Sequence, residues 1–300
     1  MPTILKFGGS SLIAPNAFRN VAKIIQSVPN AVAVLSATFG VTNKLSHIIN
    51  LAKEGKKHAI IESRNEIFDI HMAISAELTD GRANHVVTRL INKYLCVESG
   101  SIRSLINYPT HGYCVDGIMC LGERLSCEIM ASHIGSAEAV HGDEIFITCG
   151  TPSDSYPSYI SERMIKNRIE PLLSDRTIPI VTGFFGRGPN GLVTTFGRGG
   201  SDLTATFIGS CLDARDIQLY KVEQEDKQWV DGFVGVIDQE SKETIDHMTI
   251  QEAIQLAESD RQVLHKRAIK PIRNKETTLH IKNTLNPKLQ GTRIINEVSM

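Results

Sequence analysis

The sequence lacks a long hydrophobic run: nowhere do the roughly 18 uninterrupted apolar residues occur that a membrane-spanning helix requires. The first residues, MPTILKFGGSS, reach two glycines before an apolar stretch of signal-peptide length can form. These absences argue against a membrane helix and a secretory leader. We therefore expect a cytoplasmic protein without a membrane partner.

An excess of charge of one sign is also missing. The 32 Lys and Arg residues nearly balance the 33 Asp and Glu residues, and the formal net charge is −1. Nucleic acids and anionic membranes attract proteins through an excess of positive charge. The balance therefore argues against both kinds of partner.

Metal-binding and disulfide patterns are absent as well. The six cysteines are scattered without a CxxC pair, and the ten histidines show no HExxH or similar ligand spacing. We expect reduced, mostly buried thiols and no structural metal ion.

The sequence does contain an alternation of short apolar runs with amphipathic stretches. Strands are predicted for TILKF, AVAVLS, AEAVHG, IPIVTGF, DIQLYKV and GFVGVI. Helices are predicted for NAFRNVAKIIQSV, TNKLSHIINLAKEG, GIMCLGERLSCEIMASHIG, SDLTATFIGSCLDA and TIQEAIQLAES, and residues 56–107 predict polar helices on the domain surface. This order is typical of one α/β domain, here over residues 1–300, whose mostly parallel sheet is covered by helices on both faces.

Two turns after predicted strands carry groups that suit an anion. KFGGSS places Lys6 beside Gly8 and Gly9, whose bare backbone lets N–H groups approach a phosphate. LSATFGVTN offers hydroxyl groups at a helix start, with Thr42 and Asn43 as the predicted cap. By themselves, an ordinary strand turn with a surface lysine and an ordinary helix cap explain these stretches as well.

CLGERLS places Glu123 and Arg124 near the beginning of a helix. The carboxylate there could accept hydrogen bonds from a substrate ammonium, or it could simply favour the positive end of the helix dipole. For Arg124 we predict a structural ion pair.

The most specific stretch is TGFFGRGPNGLVTTFGRGGSDLTA, residues 182–205. It predicts a strand end, a glycine-rich hairpin and a second glycine-rich turn that opens a helix. Arg198 stands among glycines, where its guanidinium could hold a carboxylate through two parallel hydrogen bonds, which lysine does poorly. Asp202 follows at the helix start, as a site residue or as a cap.

Taken in order, these stretches and the later VLHKRAI and IKNTLNPKLQGTRI resemble the successive signatures of aspartate kinases, in the amino acid kinase family, from Lys6 to about Ile294. The resemblance implies a three-layer α/β/α sandwich, with an amino-acid-binding lobe over about residues 1–200 and a nucleotide-binding lobe over about 201–300. It implies transfer of the γ-phosphoryl group of ATP, with Mg²⁺, to the side-chain carboxylate of L-aspartate in lysine and threonine biosynthesis. A homodimer is one expected assembly.

The resemblance also assigns roles to single residues. Lys6 would neutralise charge on the transferring phosphoryl group, and Asp202 would orient Lys6 or help to organise Mg²⁺. Arg198 would grip the α-carboxylate of aspartate, and Glu123 its ammonium. Further substrate contacts would come from Thr42 and Ser201, and nucleotide contacts from Gly8, Gly9, Ser10, Gly199, Gly200, Lys221 and Asp231. The acceptor carboxylate is ionised at neutral pH, so the reaction needs no general base.

The sequence departs from the family pattern in its nucleotide half. Tyr220-Lys221 stands where the family has Trp-Thr, Asp231-Gly232 matches only with an insertion, and Lys266 replaces a proline. Two alternatives therefore stay open: a diverged amino acid kinase that phosphorylates another carboxylate in a specialised pathway, and a non-catalytic homologue that binds an amino acid or a partner subunit.

Length is a further departure. Aspartate kinases ordinarily continue past the NTLNPKLQGTRI signature into small regulatory domains, whereas this sequence stops at Met300. We therefore expect no built-in inhibition by lysine or threonine.

Overall fold

The computed structural model describes residues 1–225, 228–230, 236, 244–258 and 264–296, which form both strands and helices. The strands are β1 Thr3–Phe7, β2 Ala31–Leu35, β3 Ala137–Val140, β4 Thr148–Thr151, β5 Asp154–Pro157, β6 Ile178–Thr182, β7 Phe185–Arg187, β8 Val193–Thr195, β9 Asp216–Lys221, β10 Glu223–Glu225, β11 Gln228–Val230, β12 His247–Thr249, β13 Thr278–Asn283 and β14 Thr292–Ile295. The α-helices are α1 Pro15–Ser27, α2 Val41–Lys53, α3 Lys57–Thr79, α4 Asn84–Leu95, α5 Gly100–Asn107, α6 Gly112–Met119, α7 Leu121–Ile134, α8 Gly142–Ile145, α9 Ile160–Ser174, α10 Gly200–Cys211, α11 Ile250–Glu258 and α12 Lys266–Ile269.

In the part of the chain that the structure describes, eight strands form the central sheet, in the order β12-β14-β13-β9-β1-β2-β6-β3. The six strands from β13 to β3 are parallel to their neighbours, and only the contact between β13 and β14 is antiparallel. Among the described residues, three hairpins lie outside this sheet: β4–β5, β7–β8 and β10–β11. The predicted mostly parallel sheet is confirmed.

Both faces of the sheet are covered because neighbouring residues of a strand point to opposite sides. On β1, Leu5 joins a buried cluster that includes residues of α1, α2 and α7, whereas Ile4 joins a cluster with residues of α9 and α10. On β2, Ala33 and Val34 divide between the two clusters in the same way. The predicted three-layer α/β/α sandwich is therefore confirmed.

Strand β1 occupies the point where the strand order reverses. The chain passes from β1 to β2 on one side, and β9 later pairs with β1 on the other side. In open α/β sheets, ligands bind outside the carboxyl ends of the strands at such a point. We therefore expect the ligand site among the residues that follow β1, β2, β6 and β9.

Most of the predicted elements are present. The stretch GFVGVI, residues 232–237, lies outside the described residues except for Val236. Helix α2 begins at Val41, after Gly40 in the left-handed region, so the predicted cap at Thr42 and Asn43 is wrong. The helix predicted across residues 117–135 is two helices, α6 and α7, that meet at Cys120.

The segment predicted as polar helices on the domain surface is helical, but α3 and α4 each bury one face in the core. Ile60, Ile67 and Ile74 of α3 and Val87 and Ile91 of α4 are almost completely buried. Within the helix, Thr79 Oγ1 donates to Ser75 O at 2.7 Å, and His71 Nδ1 lies 2.7 Å from Ile67 O, whereas the buried His71 Nε2 has no hydrogen-bond partner among the described residues.

The buried His71 should make folding dependent on pH. Burial lowers the pKa of His71 to about 4 from the ordinary value of 6.5. Between pH 6.5 and pH 4 the unfolded chain therefore binds a proton at His71, whereas the folded chain does not. The free energy of unfolding that is present above pH 6.5 is consequently lost as pH falls toward 4. Between pH 7 and pH 5 we expect His71 to lower the free energy of unfolding by about 2 kcal/mol, as measured by urea unfolding.

Replacing His71 by methionine, His71→Met, should remove that part of the pH dependence. The exposed His58 lies on the same helix, so His58→Met is the matched control and should keep it. An unchanged pH dependence in His71→Met would contradict this account.

The composition predicts no membrane-spanning helix and reduced, mostly buried cysteines. No helix in the described residues is long and apolar enough to cross a membrane. All six cysteines are free, as expected, but only Cys120, Cys127 and Cys211 are buried, whereas Cys149 is exposed.

Candidate active site

Lys6 lies at the carboxyl end of β1 and is almost entirely buried, with 8% of the residue exposed. Its ammonium Nζ lies 2.7 Å from Asp202 Oδ1. A buried ammonium is costly unless it is paired, and this ion pair offsets that cost. The alternative of a plain surface lysine is therefore wrong.

Asp202 lies in the first turn of α10, which a glycine turn introduces. Gly199 caps this helix with φ of +73°, and a Cβ atom at this position would lie 2.6 Å from His265 Cβ. Conformation and space therefore both require glycine. Burial opposes ionisation of Asp202, but the charges of Lys221 and Lys6 outweigh it and lower the pKa of Asp202 to about 2.

Lys221 brings a second cation to the same carboxylate. It ends β9, the neighbour of β1, and its Nζ lies 3.5 Å from Asp202 Oδ2. Burial lowers the pKa of Lys221, Asp202 opposes that shift, and Lys6 adds to it. When both lysines are protonated, two cations share one carboxylate and the cluster carries one net positive charge, which suits an anionic ligand.

The turn after β1 presents bare backbone next to this cluster. Gly9, Ser10 and Ser11 form a 3₁₀ turn, and a Cβ atom on Gly9 would lie 2.9 Å from the Ala37 carbonyl oxygen. The position of a Cβ atom on Gly8 would be 3.6 Å from Lys6 Nζ. Because Gly8 and Gly9 carry no side chain, a phosphate can approach the N–H groups of this turn closely.

Glu123 lies in the first turn of α7 and is buried, with 5% of the residue exposed. Burial raises its pKa to about 7, although hydrogen bonds from the backbone of Glu123 and Ala37 and the charge of Lys6 lower it. Its Oε2 atom has no hydrogen-bond partner among the described residues. Such a carboxylate is suited to receive a cationic group.

The neighbouring Arg124 has a structural role. Its Nη2 donates to Asp143 Oδ2 at 2.8 Å, and its guanidinium lies 4.7 Å from the centre of the Phe185 ring. The predicted ion pair of Arg124 is confirmed.

The remaining predicted residues differ in where the structure places them. Ser201 accepts a hydrogen bond of 3.1 Å from Ser36 Oγ, at the end of β2. Arg198 is exposed on the turn between Gly197 and Gly199, four positions before Asp202. Thr42 is exposed on the first turn of α2, and Asp231 lies outside the described residues.

The structure therefore brings Lys6, Asp202 and Lys221 into direct contact. Glu123 is close enough for the charge of Lys6 to lower its pKa. The structure adds Ser36, which holds Ser201 and which the sequence presented only as one of several hydroxyl groups. Near the turn that carries Arg198, the buried Asp116 accepts three hydrogen bonds from residues of the β4–β5 turn and β8. An isolated carboxylate in the apolar stretch GYCVDGIM was the signal that could have revealed it.

A resident metal ion does not fit these residues. Among the described residues no three His, Cys, Asp or Glu side chains form a group that could hold one. The single carboxylate of Asp202 is already shared by two lysines. One carboxylate fits Mg²⁺ that arrives with nucleotide phosphates, because Mg²⁺ keeps several waters and takes few protein ligands in such sites.

Comparison with known proteins connects this geometry to a family. The family model described as the amino acid kinase family matches residues 1–283. The chain belongs to the amino acid kinase family.

Curated relatives within this family are aspartokinases. The chain is 31% identical to aspartokinase 1, chloroplastic, of Arabidopsis thaliana over 97% of its own length and 51% of that protein. It is 26% identical to the aspartokinase of Chlamydia trachomatis over 98% of its own length and 64% of that protein. The chain thus spans just over half of the Arabidopsis relative.

Solved structures of family members share the fold. Escherichia coli aspartokinase III in complex with aspartate and ADP superposes with a TM-score of 0.85 at 22% identity, over 99% of this chain and 65% of that one. The aspartate kinase of Clostridium acetobutylicum gives a TM-score of 0.77 at 25% identity, over 99% of this chain and 64% of that one. The amino acid kinase fold is therefore established over nearly the whole chain.

Proposed function

We propose that this amino acid kinase transfers the γ-phosphoryl group of ATP to the side-chain carboxylate of L-aspartate, giving 4-phospho-L-aspartate. The observation that carries the proposal is the pair of lysines, from the ends of two adjacent strands, that share the Asp202 carboxylate at the start of α10. The aspartokinases among its relatives support the choice of acceptor.

The reaction needs positive charge more than it needs proton transfer. An oxygen of the ionised aspartate side chain attacks the γ-phosphorus, the bond from that phosphorus to the bridging oxygen breaks, and ADP leaves. Lys6 and Lys221 would screen the repulsion between the two anions, and the backbone of Gly8, Gly9 and Ser10 would hold phosphate oxygens. Mg²⁺ bound to the nucleotide would supply further neutralisation of phosphate charge.

Four residues would orient the acceptor. Glu123 would accept hydrogen bonds from the ammonium of aspartate, which explains a buried carboxylate with an unpartnered oxygen. Arg198 would take the α-carboxylate, and Ser201 and Thr42 would add polar contacts. Gly199 and Gly200 would place backbone N–H groups of the α10 start near the phosphates.

The proposal is tested with the purified chain, ATP, Mg²⁺ and one amino acid at a time, with hydroxylamine present to trap an acyl phosphate. A hydroxamate formed with aspartate and not with glutamate supports the proposal. A hydroxamate formed with a different carboxylic acid would support the diverged kinase, and none with any acid would support a non-catalytic homologue.

The pKa of Glu123 predicts how this activity depends on pH. Only the ionised form of Glu123 pairs with the ammonium, and its pKa is about 7. The kcat/KM for aspartate, which reports the free enzyme, should therefore rise about tenfold between pH 6 and pH 8.

The variant Glu123→Gln should have a low kcat/KM for aspartate that no longer rises across this range. Glu128 lies on the same helix and is paired with His141, so Glu128→Gln is the matched control and should keep the rise. A pH profile of Glu123→Gln equal to that of the unmodified protein would exclude this role.

A further inference from the structure

The end of β8, just before the turn that carries Arg198, is held by three side chains from other parts of the fold. The Thr195 N–H donates to Asp116 Oδ2 at 2.7 Å, and Ser155 Oγ donates to Thr195 O at 2.9 Å. Arg267 Nη1 donates to Phe196 O at 2.8 Å. We call Asp116, Ser155 and Arg267 the clamp.

Asp116 is an unusual member of the clamp because its carboxylate is buried, with 1% of the residue exposed. It is satisfied by hydrogen-bond donors: besides the Thr195 N–H, it accepts from Ser153 N at 2.7 Å and from Ser153 Oγ at 2.8 Å. A buried carboxylate is tolerated only with such partners. It therefore ties α6 to both the β4–β5 turn and β8.

Arg267 reaches the same place from α12, in the late part of the chain. Its Nη1 also donates to Asp154 Oδ1 at 2.9 Å, and its Nη2 donates to Ser155 O. The guanidinium lies 5.7 Å from the centre of the Tyr156 ring. One planar cation thus connects the β4–β5 hairpin with the last carbonyl before the glycine turn.

The turn of residues 197–199 lies directly against the β4–β5 turn. A Cβ atom on Gly197 would be 2.8 Å from the Ser153 carbonyl oxygen, and Ser153 is the residue that Asp116 holds. Gly197 and Gly199 both have positive φ, at +71° and +73°. Glycine has more conformational freedom than other residues, so the segments that flank this turn contribute to its order beside the hydrogen bond from Gly200 N to Gly197 O.

We propose that Asp116 and Arg267 are positioning residues that fix the turn of residues 197–199 and thereby the guanidinium of Arg198. This inference rests on the proposed function, in which Arg198 binds the α-carboxylate of aspartate. A binding group must be held close to its productive position, and its supporting contacts provide that precision.

The first test is Arg267→Met, which keeps an unbranched side chain and removes the guanidinium. We expect the aspartate KM to rise about tenfold, with the ATP KM within about twofold of the unmodified protein. Arg273→Met is the matched control, because Arg273 is exposed six positions later, and it should leave both constants unchanged.

A double-mutant cycle separates positioning from a general loss of structure. In an Arg198→Ala background, adding Arg267→Met should change the aspartate KM by less than about twofold, because the group that Arg267 positions is already absent. A full tenfold effect in that background would overturn the proposal.

Asp116 provides a second pair of variants. Asp116→Asn can still accept from the two backbone N–H groups with its oxygen and donate to Ser153 Oγ with its amide. We expect it to keep an aspartate KM near that of the unmodified protein, whereas Asp116→Leu, which leaves both N–H groups unpaired, should raise it as Arg267→Met does. Equal aspartate KM values for Asp116→Asn and Asp116→Leu would overturn the proposed role of Asp116.

Hydrogen exchange makes the inference testable even if aspartate is not the substrate. Amides of residues 196–200 should exchange at least about fivefold faster in Arg267→Met than in Arg273→Met, because the flanking contact is lost. Equal exchange would overturn the clamp. Absence of aspartate phosphorylation by the unmodified protein, with faster exchange in Arg267→Met, would instead reject the proposed substrate and retain the clamp.

Discussion

Replacing Lys6 by methionine is expected to lower kcat for aspartate phosphorylation by about a thousandfold, with a smaller change in either KM. Lys6 is held 2.7 Å from Asp202 in a buried site, so its charge is already in place before the reaction begins. A cation fixed beside the phosphoryl group stabilises charge that develops in the transition state, and interactions of this kind affect kcat more than binding.

The control must separate this effect from loss of folding. In Lys6→Met the Asp202 carboxylate still has Lys221 at 3.5 Å, so the remaining charge is not left without a partner. Lys23→Met removes the same charge from an exposed position on α1 and should leave kcat unchanged. A Lys6→Met protein with an unchanged melting temperature and less than a tenfold loss of kcat would contradict the role of Lys6.

The central sheet could be predicted from the sequence because its information is local. TILKF and AVAVL are short apolar runs, and strands buried on both faces have this composition. The glycines at positions 197, 199 and 200 likewise predict a tight turn before a helix. Burial was harder to predict, because α3 has polar residues such as His71 and Thr79 on its buried face. Their hydrogen bonds to carbonyl groups of the same helix leave no signal in the sequence pattern.

The site itself depends on distances that local patterns do not contain. Lys6 and Asp202 are far apart in the chain, and only the resemblance to a family connected them before the structure brought them within 2.7 Å. Asp116 shows the limit more clearly. Its partners Ser153 and Thr195 follow it by 37 and 79 residues, so nothing in GYCVDGIM indicates which groups it binds.

Arg198→Lys should affect binding where Lys6→Met affects the rate. We expect the aspartate KM to rise about a hundredfold, close to 3 kcal/mol, with kcat changed by less than about threefold. The α-carboxylate does not react, so its contact is equally strong in the bound substrate and in the transition state. Loss of such uniform binding raises KM and leaves kcat nearly unchanged.

Lysine keeps the charge of Arg198 but not the two parallel donors that match a carboxylate. Arg198 is exposed, so neither Arg198→Lys nor Arg198→Ala should lower the melting temperature. Arg163→Lys, at an exposed position on α9, is the matched control and should have the aspartate KM of the unmodified protein.

The acceptor 3-aminopropanoate, which is aspartate without its α-carboxylate, identifies the group that Arg198 binds. Its kcat/KM is expected to be low in the unmodified protein and to fall less than about twofold further in Arg198→Ala, because the contact that Arg198 supplies is already missing. An equal hundredfold loss with both acceptors would assign Arg198 to the phosphoryl donor instead. The comparison therefore distinguishes a residue that selects the acceptor from a third cation that acts with Lys6 and Lys221 on the phosphoryl donor.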